Sequence, residues 1–478
     1  MDNKPTVITI FGASGDLAKL KLFPSIYNLY VNNLLPQDFR LIGFSRKEFS
    51  NEEFRESFRN SVQAAFGKDV DEARLRQLLD SVYYHAGSYD NKADFDSLHE
   101  FVYQEGRSEK EICNINYLSV PPFVFRNIID NLAQSRKDVE ADIRLIIEKP
   151  FGEDEETARN LFHFVNLKFD QKQIYLLDHY LGKLAVQSML HLRRANRILN
   201  SMLQGSEIAN IQITAFEDVG VEERIGYFES VGIMKDFVHS HLLQILALVT
   251  MNIPTSKTGA SLSREKYSVL SALSYDADQD SLVVGQYDSY CSHNGVPADS
   301  TTETFAAIKL GIDLEEWYRV PIYLRVGKKM ERKETYVIIE LEKYEFQKQY
   351  NLPMNRVVFK LFPDRKIEVK LYNQFLDGSM HELDLGGDLL CDNKDQICDE
   401  KYSLTEYATL IKDVMHADRL FFLEFQEVLA SWKIMDQIIR HKNSGNIELL
   451  KYSDNSAGPQ DMSRLTRGDG FEWHEYCI

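Results

Sequence analysis

Two patterns of apolar and polar residues divide this chain. In its first part, short apolar runs alternate with stretches whose apolar residues recur every three or four positions. The runs Thr6–Phe11, Phe39–Phe44, Val82–Tyr84, Ile112–Leu118, Ile143–Glu148 and Gln173–Leu177 predict buried strands. Asn51–Phe66, Lys92–Gln104, Pro122–Ala133 and Asp154–Phe164 predict helices between them. Alternating strand and helix predicts a doubly wound parallel sheet.

Beyond Lys183 the pattern changes. Leu184–Leu203 has helical spacing, and then Ile208–Glu217, Thr304–Ile312, Val320–Val326, Tyr336–Leu341, Arg356–Leu361 and Lys366–Tyr372 alternate apolar with polar. With little helix between them, these strands predict a mainly antiparallel sheet with one face covered. Ser403–His441 is largely helical and aromatic, Asp392–Lys401 and Lys442–Gly445 are polar connectors, and the tail after Asn455 has little pattern before Phe471-Glu472-Trp473. The fold class is therefore α/β plus α+β. Residues 1–180 form the first domain and 181–478 a larger second one, with the boundary near residues 178–185.

One stretch of the second part breaks the strand pattern. Ile225–Gln244 predicts a turn and then a helix on which Met234, Phe237, His241, Gln244, Ile245 and Leu248 share a face. That face is mostly apolar, so His241 points inward. A neutral imidazole there suits a general base; the competing reading is a core histidine satisfied by one hydrogen bond.

The first strand runs into Gly12-Ala13-Ser14-Gly15-Asp16-Leu17-Ala18 and then a helix, the context of a Rossmann-type dinucleotide site. Gly12 permits the tight turn, Gly15 lets backbone approach a pyrophosphate, and the helix N-terminus faces it. Asp16 serves equally as a helix cap. The second strand ends Ser45-Arg46-Lys47, two cations and no acid, which suits the 2′-phosphate of NADP rather than a free ribose hydroxyl; the alternative is a pair of solvated loop charges. Ligands of such sheets lie beyond the carboxyl ends of the strands. Glu148-Lys149-Pro150-Phe151-Gly152 and Asp178-His179-Tyr180-Leu181-Gly182-Lys183 both sit there. Lys149, His179, Tyr180 and Lys183 offer donors for a phosphate and hydroxyls. Asp178 can orient an imidazole. Each taken singly is better explained as a cap or a core residue; it is their convergence on the mouth of one sheet that points to a site.

Composition narrows the partners. Lys and Arg number 55 against 73 Asp and Glu, a net charge of −18. That argues against general binding to nucleic acid or anionic membrane. Any anionic substrate then needs a local basic pocket. Five cysteines at 113, 291, 391, 398 and 477 have no metal-ligand spacing and suggest reduced thiols in a cytoplasmic setting. The N-terminus carries no basic-then-apolar leader and no apolar run approaches membrane-spanning length, so a soluble cytoplasmic protein without a metal is expected.

With GASGDLA, EKPFG, DHYLGK and HLLQ assembled, the chain resembles the glucose-6-phosphate dehydrogenase family. The likeness continues through Val320–Lys328 and through Tyr407, Asp413-Val414-Met415, Glu427, Trp432 and Asp436, so ordered motifs span residues 6–440. The resemblance implies oxidation of glucose 6-phosphate at C1 to the lactone, with hydride passing to NADP. It implies His241 as base and Asp178 as its partner. His179, Tyr180 and Lys183 would hold the phosphate. Lys149 would lie between sugar and cofactor. Glu217 and Asp236 would bind sugar hydroxyls, with Lys328 and Lys333 in the same pocket. Gly12, Ser14, Gly15, Asp16, Leu17, Lys21, Arg46 and Lys149 would line the cofactor. A cis peptide before Pro150 and a homodimer, or a dimer of dimers, are implied as well.

The chain departs from the family pattern near the sugar. Glu229 stands for Asp, Lys235 for Arg, His239-Ser240 for Gln-Asn, Leu176-Leu177 where Arg-Ile is common, and Leu184 for Glu. Two residues apart on a helix, His239 and His241 diverge too far to chelate one metal; His239 is expected beside Lys235 and Asp236. Another sugar phosphate as substrate, or a catalytically silent homologue, are the competing functions.

Overall fold

The computed structural model describes residues 4–103, 108–138, 140–222, 225–374, 379–389 and 404–475. The connector Asp392–Lys401, the end of the expected helix at Gln104, and Cys391, Cys398 and Cys477 lie outside these residues.

Six parallel strands form the first sheet: β1 (Thr6–Phe11), β2 (Phe39–Ser45), β3 (Val82–Ala86), β4 (Cys113–Leu118), β5 (Ile143–Glu148) and β6 (Ile174–Leu177). Their order is β3-β2-β1-β4-β5-β6, the doubly wound arrangement that the alternation predicts. The strand order reverses beside β1, so its carboxyl end opens on a crevice. The β1 and β4 strands are buried at every residue, as strands covered by helices on both faces require. Ser50 caps Asn51–Phe66 with a capping box to Glu53. Glu72–Leu79 is a further helix, capped by the Asp71 carboxylate. Eight residues rich in charge show too little periodicity to predict it.

The second part is built on β7 (Ile208–Phe216), β8 (Leu273–Ser274), β9 (Leu282–Tyr287), β10 (Phe305–Ile312), β11 (Ile322–Gly327), β12 (Glu334–Leu341), β13 (Arg356–Phe362), β14 (Lys366–Gln374), β15 (Met380–Asp388) and β16 (Leu449–Tyr452). The sheet runs β15-β14-β13-β12-β7-β11-β10-β9-β16, with β8 paired to β10. It is mainly antiparallel; β7 with β11 and β16 with β9 are parallel. Expectation missed β9, whose LVVGQY run is buried throughout and lacks alternation, and β15, whose side chains are mostly exposed.

Two helical expectations change. Leu184–Leu203 is two helices, Leu184–Ala195 and Arg197–Met202, because Asn196 is extended. Ile225–Gln244 is not a turn and one α-helix. Helix Ile225–Ile233 breaks at Gly232, where φ is 68°. There a Cβ would come within 2.3 Å of a Glu303 carboxylate oxygen. Met234–Leu242 then winds as a π-helix and Leu243–Thr250 as an α-helix. The segment is buried on nearly every side, not on one face, so an amphipathic stripe understates how central it is.

Candidate active site

Strand β6 delivers Asp178 to the sheet's carboxyl edge, where its Oδ1 accepts the Tyr180 N–H at 3.0 Å and starts the turn His179–Gly182. The π-helix brings His241 to it from the second part of the chain. His241 Nδ1 lies 2.5 Å from Asp178 Oδ1, and both side chains are at most 1% exposed. From the third side comes Lys149, at the end of β5 and ahead of a cis bond to Pro150. Its ammonium lies 2.9 Å from His241 Nε2, 2.5 Å from the Asp236 carbonyl, and 3.4 Å from both Asp236 Oδ1 and Ser240 Oγ. An ammonium can only donate. Nε2 must therefore carry the lone pair, and Nδ1 carries the proton toward Asp178. Burial, then the Lys149 charge, hold the His241 pKa well below the ordinary imidazole value. The ring is neutral and offers a base at Nε2.

Around this line lies a basic group. The His179 ring centroid is 4.6 Å from that of His241, and Tyr180 stacks on His241 at 4.2 Å. The Lys183 ammonium sits 3.4 Å over the Tyr180 ring. Burial, opposed by Glu406, brings Lys183 down to about 8, and Lys333 pushes the same way as burial. Burial and then His241 lower His179. On the far wall Glu217, just past β7, pairs with Lys328, just past β11. Exposed Lys333 lies over the Phe362 ring at 5.1 Å. The structure thus brings Lys149, Asp178, His179, Tyr180, Lys183, Asp236 and His241 together, with Glu217, Lys328 and Lys333 at the rim.

The glycine turn opens beside β2. Gly12 has φ of 83°, and a Cβ there would lie 2.1 Å from the Ser119 carbonyl; no other residue fits. Gly12 N–H donates to the Phe44 carbonyl, and Gly15 N–H to the Gly12 carbonyl, each at 2.9 Å. Gly15 and Asp16 are exposed, and Ser14 and Leu17 partly so. The helix from Ala18 begins without a side-chain cap. The exposed Arg46 lies 5.8 Å over the Tyr89 ring. This bare backbone cradle with a cation at its edge fits a pyrophosphate and a 2′-phosphate. Lys21 lies 3.8 Å from Glu406, the carboxylate that acts on Lys183, which sets it on the Lys183 side of the cleft. Tyr89 and Glu406 carried no mark in the sequence, because their neighbours come from distant strands and helices.

The departures also find their places. Glu229 uses its longer arm to accept from Tyr290 at 2.6 Å and Ser300 at 2.8 Å. Lys235 donates to the Glu153 carbonyl at 2.9 Å. His239, expected beside Lys235 and Asp236, is buried and stacks on Trp432 at 3.9 Å, with the Lys235 ammonium 5.9 Å over the same indole. The π-winding and Trp432 turn it into the core. Among the described residues Asp178, His179 and His241 have ligand atoms within 4.8 Å of one another. Lys149 against His241, with Lys183 nearby, makes that point repel a cation. A hollow of about 910 Å³ lined by Arg136, Arg144, Tyr175 and Arg419 lies at the opposite, amino end of the parallel strands. There Asp142 and Glu424 neutralise Arg144 and Arg419.

The family model "Glucose-6-phosphate dehydrogenase, NAD binding domain" matches residues 9–188, and "Glucose-6-phosphate dehydrogenase, C-terminal domain" matches residues 190–474. Glucose-6-phosphate 1-dehydrogenase of Bacillus subtilis is 33% identical over 487 residues, covering 98% of both chains. The Arabidopsis thaliana protein named glucose-6-phosphate 1-dehydrogenase 5, cytoplasmic, is also 33% identical, covering 98% of this chain and 92% of its own. A solved glucose-6-phosphate dehydrogenase in complex with its substrate glucose 6-phosphate superposes with a TM-score of 0.89 at 30% identity, covering 99% of each chain.

Proposed function

The chain belongs to the glucose-6-phosphate dehydrogenase family, and from that premise we propose that it oxidises β-D-glucose 6-phosphate at C1 to 6-phospho-D-glucono-1,5-lactone with NADP, the first step of the oxidative pentose phosphate pathway. The observation that carries this reading is the buried line Asp178–His241–Lys149, which leaves one imidazole nitrogen basic inside a basic cleft.

In this reading the C1 hydroxyl takes the place at His241 Nε2 that Lys149 holds in the free protein. His241 accepts the hydroxyl proton, and the Asp178 carboxylate stabilises the imidazolium that results. The nicotinamide of bound NADP supplies the acceptor for the C1 hydride. Lys149 keeps its bond to the Asp236 carbonyl and stays between sugar and dinucleotide. His179, Tyr180, Lys183 and Lys333 surround the 6-phosphate, a charge-assisted site inside an otherwise acidic protein. Asp236, Glu217 and Lys328 face the sugar hydroxyls. Gly12, Ser14, Gly15, Asp16 and Leu17 line the pyrophosphate, Lys21 lies just beyond them, and Arg46 faces the 2′-phosphate. Residues 1–180 hold the dinucleotide and 181–478 the sugar and the dimer contact. The exposed Leu383 and Leu385 on edge strand β15 support a homodimer, or a dimer of dimers. A cytoplasmic setting is supported by the Arabidopsis relative's name. Among the described residues no helix is long and apolar enough to cross a membrane.

The test is NADPH formation, read by absorbance, over a panel of glucose, galactose and amino-sugar 6-phosphates. Glucose 6-phosphate should give the highest kcat/KM; a preference for another sugar, or no turnover with any, overturns the assignment.

A further inference from the structure

His239, which stands where the family pattern has Gln, is used by none of the steps above. It is buried, and its imidazole lies 3.9 Å from the Trp432 ring at 28° between planes. Trp432 is 2% exposed, and its Nε1–H donates to the Phe151 carbonyl at 3.0 Å. Phe151 follows Lys149 by two residues. One indole therefore touches both the helix that carries His241 and the turn that carries Lys149.

Further ties run the same way. The Lys235 ammonium lies 5.9 Å over the Trp432 ring and donates to the Glu153 carbonyl of the same turn. Asp436, on the Trp432 helix Phe425–Lys442, accepts the Glu155 N–H at 3.1 Å. At the other end of that helix Glu427 pairs with Lys266 at 2.6 Å, and Lys266 donates to Gln244 at 3.1 Å. Both ions of that pair are at most 1% exposed. The Phe425–Lys442 helix thus touches the catalytic helix at residue 239, reaches its residue 244 through Lys266, and holds the turn after Lys149 at residue 151 and the start of the helix that follows it at residue 155.

We infer that His239 and Trp432 are positioning residues, a clamp that keeps the helix carrying His241 and the turn carrying Lys149 in register, and so sets where the base stands against the sugar and how near the Lys149 ammonium comes to it in the free protein. The inference rests on the function proposed above. Stacking on the indole requires an uncharged partner to be buried cheaply. Burial, then Lys149, push the His239 pKa down to about 3, so the ring stays neutral. The groups that face His241 are Lys149, Asp178, His179, Tyr180, Lys183, Asp236 and His239. Of these only Lys149 rides on the clamped turn. If the clamp loosens, the nearest cation retreats, and the His241 imidazolium becomes easier to form.

The experiment uses Trp432→Phe, which keeps a ring but removes the N–H donor, and His239→Ala, with His239→Phe as the conservative rescue. Each full-length protein is checked by calorimetry, assayed with glucose 6-phosphate and NADP across pH, and its His241 imidazole is titrated by NMR in the free state. For Trp432→Phe and His239→Ala we expect kcat to fall about tenfold or more, with KM for the sugar phosphate within about twofold of wild type. The acid limb of kcat/KM and the NMR titration of His241 should both move up by about one pH unit. His239→Phe should restore both. If neither variant moves the His241 titration, the clamp is refuted, even where a merely structural loss lowers the melting temperature. A wild type that turns over no glucose 6-phosphate refutes the parent function instead, and the NMR titration still decides the clamp.

Discussion

Replacing Asp178 by Asn tests what the buried carboxylate does. Asp178 Oδ1 accepts the Tyr180 N–H and lies 2.5 Å from His241 Nδ1, whereas Oδ2 has no hydrogen-bond partner among the described residues. An asparagine can leave its carbonyl oxygen where Oδ1 now sits and turn its amide nitrogen toward the place of Oδ2. The imidazole then keeps its Nδ1–H tautomer, and Nε2 stays basic. What is lost is the negative charge that would face the imidazolium. With roughly 4 Å between charge centres and an effective dielectric constant of about 20, that attraction is worth about 4 kcal/mol. The corresponding fall in kcat is about a thousandfold. The assay is steady-state NADPH formation by Asp178→Asn, with calorimetry to confirm folding and KM measured for both substrates. A fall in kcat of less than about tenfold, or a loss confined to KM, would refute the reasoning. A fall of about ten-thousandfold would mean that the tautomer had flipped as well.

His241→Asn should lower kcat by several orders of magnitude while leaving substrate affinity nearly intact, and near-wild-type turnover would remove His241 as the base. Lys183 sits near 8 in the free protein because burial disfavours its charge. The protonated form is the one that attracts phosphate, so kcat/KM should fall as pH rises through about 8. Bound phosphate raises that pKa, so the matching limb in kcat should lie higher; a kcat/KM that does not fall on crossing this range refutes the role. Arg46→Ala should raise KM for NADP far more than for NAD, measured by parallel titration, and equal effects would reject a 2′-phosphate contact.

The parallel half of the fold was legible because its signals are local. Each apolar run and each cap, from Thr6–Phe11 to the Ser50 capping box, is decided within a few residues. The glycine turn was legible for the same reason: Gly12 needs its positive φ wherever the rest of the chain goes. The same holds for Asp178 and His179, which lie at a strand end. The catalytic helix was legible only in part. Spacing pointed His241 inward, but a 3.6-residue period cannot announce a π-turn, and the break at Gly232 depends on Glu303 from the segment just before β10. His239 shows the limit most clearly. On an ideal helix it points away from His241, and a polar residue on that side reads as surface. Trp432 covers that side, so the residue becomes core. Its partner is fixed by how the Phe425–Lys442 helix packs against the π-helix, which no spacing within either segment encodes. Charge follows the same division. That Lys149 is basic is evident from its name alone, but its value to the site comes from standing 2.9 Å from an imidazole that an aspartate already holds from the other side. The sign of the His241 shift is thus set across segments: packing around the π-helix buries the ring, and β5 brings the cation that pushes the same way.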